Sequence, residues 1–140
     1  MSSKGSNSSQ PLTLAAHLRN MRKQFPAIRP FEEENDINWA DDGHAAFDAN
    51  RLDLAERIFK KLILAQPEHF DGYFGLAQVL LRQRHPKPAI LFADEAIRLA
   101  QPFLDDGSLD PSTMDELRLF RSQLDAPAST STSQQKSRPD

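Results

Sequence analysis

The chain contains no cysteine. That removes disulfides, thiolate zinc sites and thiol nucleophiles together, and it fits a reducing compartment, so the cytoplasm is the expected location. Long apolar runs are missing too: none reaches the roughly 18 residues needed to span a bilayer. The opening Met1 to Gln10 is rich in serine and never becomes apolar, so it does not read as a signal peptide. Charge of one sign is not in large excess either. With 17 Lys and Arg against 20 Asp and Glu, the net charge is -3. Such a balance has no broad attraction for a phosphate backbone, which makes nucleic acid a poor partner. No Gly-rich phosphate loop, nucleophile elbow or HExxH run occurs.

What is there has room for one domain in 140 residues. Residues 1–10 and 126–140 are rich in Ser, Thr and Gln and nearly free of apolar side chains, so both are expected to be disordered tails. Residues 11–125 read as an all-α domain. Leu14, Leu18, Met21 and Phe25 recur at helical spacing over about 12–25, until Pro26 forbids continuation. His17, Arg19, Arg22 and Lys23 on the other face read as solvated. After a linker, Glu32, Glu33, Glu34 and Asp36 place negative charge at the positive end of the next helix dipole. That helix runs to Ala49, and Asn50 suits the left-handed position that closes it. Its successor, from Leu52 to Ala65, buries Ala55, Ile58, Phe59 and Leu62 and stops before Pro67.

A second hairpin follows the same plan. Tyr73, Leu76, Ala77, Leu80 and Leu81 mark a helix from Phe70 to Gln83, which the Arg84-His85-Pro86 turn breaks. Its partner starts near Lys87, carries Ala89, Ala93, Ala96, Ile97 and Ala100, and is expected to end before Pro102. Asp110-Pro111 then opens a last helix over about 111–124, with Met114, Leu117, Phe120 and Leu124 on one face. No strand is expected.

One period joins the two hairpins: 34 residues separate Trp39 from Tyr73, Gly43 from Ala77 and Ala55 from Ala89. Together with Phe59 and Pro67 in the first unit and Leu76 and Ala96 in the second, these positions resemble the tetratricopeptide repeat family. The resemblance covers about 36–69 and 70–103. It implies a right-handed stack of antiparallel hairpins, about six helices in all, in which Gly43 and Ala77 meet Ala55 and Ala89 across each hairpin. Some residues depart from the family pattern. Asp42 stands where it prefers Leu, which requires that side to be poorly buried or the carboxylate to be paired, with Arg19 or Arg22 as candidate partners; Ala46 replaces an aromatic; Pro102 falls one residue late. Two repeats are few for such a stack, so the first and last helices are expected to cover the open faces of the first and second hairpins.

The family's inner helices line a peptide-binding groove, and those positions fall on Ala40, His44, Phe47 and Asp48, then Phe74, Gln78, Leu81 and Arg82. Asp48 and Arg82 would give the groove one charge of each sign. The family's clamp for a terminal carboxylate is absent, because Ala40, His44 and Gly75 occupy its places. His44 and Asp48 sit one turn apart, as a metal pair can, but lack a well-spaced third ligand, so no metal and no catalytic group is assigned. His17, His69 and His85 have no evident partner. Asp105 to Asp110 lacks the alternation of a calcium loop and reads as a connection.

The expected function is therefore recognition of a protein or peptide, by an adaptor or chaperone-like module without cofactor or catalysis. The alternative is a structural subunit that forms a homodimer or docks into a larger secretion or envelope assembly.

Overall fold

The computed structural model describes residues 12–31 and 36–125, and among these the chain is all-helical, with six helices and no strand. The two tails and the run Glu32 to Glu34 lie outside the described residues. Helix α1 spans Leu14–Gln24. It starts two residues later than the apolar spacing suggests because Thr13 is its N-cap, its side chain accepting from the Ala16 amide at 3.1 Å. Helix α2 covers Asp36–Asp48 and α3 covers Leu52–Ala65. Helix α4 runs over Phe70–Arg82, α5 over Pro86–Asp105 and α6 over Pro111–Asp125.

The turns after α2 and α4 are built alike. Asn50, at φ 61°, donates its amide to the Phe47 carbonyl, and Arg51 donates to Ala46. Arg84, at φ 71°, donates to Leu81, and His85 donates to Leu80. Each pair satisfies carbonyls that the helix end leaves open. Every atom in the second set lies 34 residues after its counterpart in the first. The short connections fold α2 against α3 and α4 against α5.

Phe59 of α3 is the centre of the first contact and is 1% exposed. Its ring fills the space beside Gly43 of α2 and Gly75 of α4, and His44 meets it edge-on at 5.1 Å. Gly43 is therefore answered by an aromatic ring; the alanines Ala55 and Ala89 are buried as well. On α5, Ala89, Ala93, Ala96 and Ala100 form a nearly solvent-free stripe that lets α4 approach closely.

Two expectations are corrected, and a third is decided between its alternatives. Helix α5 passes through Pro102 and continues to Asp105. Burying the last turn outweighs the proline's missing N–H: the Phe103 ring lies 6.2 Å from Phe70 and 5.5 Å from His69. Helix α1 rests across α3 and α5, so it does not cap the outer side of the first hairpin. Asp42 is exposed, so its carboxylate stays hydrated, and neither Arg19 nor Arg22 forms an ion pair with it.

The histidines also have partners that spacing does not reveal. His17 turns toward the interior and packs edge-on against Phe92 of α5 at 5.5 Å. Burial holds its pKa below the usual imidazole value, and the Lys60 ammonium adds to that. His69 caps α4 by accepting from the Asp71 amide and stacks on Phe70. Tyr73, 2% exposed, donates its hydroxyl to the Pro67 carbonyl at 3.0 Å. Burial, chiefly, pushes its phenol up to about 12.

Candidate interaction groove

Helices α2, α4 and α6 together border an open groove of about 800 Å3. Phe47 from α2 forms one wall. Gln78, Leu81 and Arg82 come from α4, Arg84 from the turn after it, Pro86 from the start of α5, and Phe120 from α6. The helical period explains the selection: Gln78, Leu81 and Arg82 are three and four residues apart and so share one face of α4. The opposite face, with Leu76, Val79 and Leu80, is in the core.

The walls are held in place by contacts within and around the groove. Arg82 sets its guanidinium over the Phe47 ring, 4.4 Å from the centroid, an arrangement that restrains both side chains. Phe120 is fixed by an edge contact with Phe74 at 5.4 Å. One residue on, Arg121 binds Asp125 at 2.7 Å and reaches Asp94 of α5 at 2.5 Å. The hydrogen bonds to Asp125 and then Asp94 raise the guanidinium pKa further and tie α6 to α5.

Of the eight inner-helix positions, Phe47, Gln78, Leu81 and Arg82 thus line one groove. The others do different things. Phe74 is half-buried beneath Phe120, His44 leans on Phe59, Ala40 is half-buried against the core, and Asp48 is exposed to solvent outside the groove. Inner-helix positions alone miss Arg84, Pro86 and Phe120, because these sit in a turn, at the first residue of α5 and on the last helix. Arg84 had a signal, since it falls one period after Asn50.

Leu81 is 38% exposed. Apolar surface is therefore open beside two arginines, a combination suited to holding a chain segment with both apolar and polar parts. A second depression, of about 610 Å3, lies between the starts of α1 and α5 and is lined mainly by Leu12, Leu14, Pro88, Ile90 and Leu91. Among the described residues no three His, Asp or Glu side chains are grouped to hold a metal, and no helix is long and apolar enough to cross a membrane. Comparison with family models, with curated proteins and with solved structures found no match.

Proposed function

We propose that this chain is a tetratricopeptide-type helical repeat adaptor that holds a segment of another polypeptide in the groove bordered by α2, α4 and α6. The observation that carries this reading is the groove itself: exposed Leu81 and the partly buried Phe47 and Phe120 line it outside the fully buried core. The 34-residue correspondence of the two turns supports a right-handed stack of two repeats, 36–69 and 70–103, with α6 packed on α5 as its cap. Recognition in the cytoplasm, without cofactor or turnover, follows from this reading.

The test is affinity capture by the full chain beside Leu81→Glu, with circular dichroism checking that the variant is folded. A partner retained by the first and lost by the second supports the groove. Retention by both, with loss on Arg19→Glu plus Arg22→Glu, would move the site to α1.

A second reading, a subunit that dimerises or docks into an assembly, is favoured by one feature. Because α1 lies elsewhere, the outer side of the first hairpin keeps a shallow depression of about 400 Å3 lined by Asp42, Ala45, Ala46, Ala49, Leu54 and Ile58, with Arg51 at its edge. A sedimentation mass that rises with concentration and returns to the monomer value in Ala45→Glu would support it.

A further inference from the structure

We infer that the groove selects segments bearing carboxylates next to an apolar anchor, an inference that rests on the groove reading above. The sequence pairs Asp48 with Arg82 and suggests a ligand of mixed charge. The structure changes that balance. Asp48 is absent from the lining and Arg84 is present, so both charged side chains of the groove are cationic. Both are exposed, and among the described residues neither forms an ion pair with a carboxylate. A basic or neutral segment would leave two guanidinium groups facing it uncompensated, whereas an acidic one would meet forked donors suited to carboxylates.

Arg84 adds an independent argument. At the matching place in the first turn the chain uses Asn50, a residue that tolerates a left-handed backbone. Arg84 holds the same conformation and makes the same backbone hydrogen bonds, at φ 71°. That backbone disfavours any residue with a Cβ, Arg lacks the short polar group by which Asn offsets the cost, and its own fold gives it no ion pair in return. Strained residues of this kind gather where a side chain serves a ligand. Apolar anchoring comes from Phe47, Leu81 and Phe120, which line the same groove from three helices. The ligand is thus a carboxylate-rich segment with an aliphatic or aromatic residue among the acids.

The probe is a displayed library of random short peptides, selected on the full chain and in parallel on three variants. Wild type is expected to enrich Asp and Glu around an apolar residue. Arg82→Glu with Arg84→Glu should weaken the selected peptides at least about tenfold and turn the preference toward Lys and Arg. Arg84→Asn should weaken them too while melting at the same or a higher temperature, which a merely structural Arg84 would not do. A neutral or basic consensus that disappears in Leu81→Glu would overturn the acidic preference and leave the groove standing. Acidic peptides that bind equally well to Leu81→Glu and to the arginine pair variant would overturn the groove as well. Enrichment of no sequence at all would also count against the inference.

Discussion

The ring of Phe59 in α3 occupies the space that a Cβ on Gly75 of α4 would need. A Cβ on Gly43 of α2 would come within 2.7 Å of the same edge of the ring. The ring is thus seated tightly against both glycines, and at 1% exposure it has no outlet to solvent. Three helices converge on one aromatic side chain because two of them carry no side chain at that point.

Gly75→Ala is accordingly expected to destabilise the fold. Overpacking costs about 1 to 3 kcal/mol, against a gain of about 1 kcal/mol in helix propensity when Ala replaces Gly. Because the ring is buried and a Gly75 Cβ would overlap it, the first effect should win. Denaturant unfolding measures the sum, and a midpoint above wild type would mean that Phe59 has another place to go.

Pro102 gives the opposite sign. It stands inside α5 on an exposed side of the helix, where its ring and missing N–H work against the turn containing Arg98. Pro102→Ala should recover helix stability of about 3 kcal/mol, less about 1 kcal/mol for the freer unfolded chain, a net gain of about 2 kcal/mol. Thermal melting would show a rise. A fall would mean that the proline's fixed backbone angle is needed to seat Phe103 against Phe70.

Helix α1 should respond to pH through His17. Its folded pKa lies below the ordinary value of 6.5, because burial against Phe92 and then Lys60 disfavour the charged form. The unfolded chain then binds the proton first, so this stabilisation is present above about pH 6.5 and is lost as pH falls through the folded pKa. Glu56, Lys60 and His85 line the same cavity. Glu56 acts in a lower window: burial opposes its charge, but hydrogen bonds from Lys60 and Gln83 outweigh it and hold its pKa below 4.5, so its contribution fades only below that pH. Protection of the α1 amides, corrected for the intrinsic pH dependence of exchange, should fall as pH drops below about 6.5 in wild type and much less in His17→Gln. An equal loss of protection in both would remove His17 from the account.

Met21, at 2% exposure, is the buried residue of α1. Met21→Ala should cost about 2 to 5 kcal/mol if the helix stays docked over its cavity. The lower end is expected if α1 detaches instead, and exchange measurements separate the two outcomes.

Much of this fold is legible in local chemistry. Pro26 and Pro67 follow helix ends, Asn50 closes α2 in the left-handed conformation, and the spacing of Ala89, Ala93, Ala96 and Ala100 marks a buried face. What sequence leaves open is where an apolar stripe will dock. Leu14, Leu18 and Met21 fit any apolar surface, and only the packed structure shows that they choose the seam between α3 and α5. Pro102 misleads for a similar reason, since its local cost is set against the burial of a distant ring. The groove is half legible: helical spacing brings Gln78, Leu81 and Arg82 to one face, but the distance from there to Phe120 is a property of the tertiary fold.

The two phenylalanines of the inner-helix positions should separate fold from binding. By spacing alone, Phe74 is as good a groove residue as Phe47, and its removal would be expected to spare the fold. In the structure Phe74 is half-buried and meets Phe120 at 5.4 Å, so it is part of the seat of α6. Phe74→Ala should therefore cost about 3 kcal/mol or somewhat less given its partial exposure, and should loosen α6 first. Leu81 touches the groove and is 38% exposed, so Leu81→Ala should change stability by less than about 1 kcal/mol. Its effect belongs to the partner: loss of an apolar anchor there is expected to weaken capture by about 2 kcal/mol, mainly through faster dissociation. Melting curves and dissociation rates on both variants decide the matter. A Phe74→Ala protein as stable as wild type would show that α6 does not depend on that ring, and a Leu81→Ala protein that holds its partner unchanged would take the groove out of the binding surface.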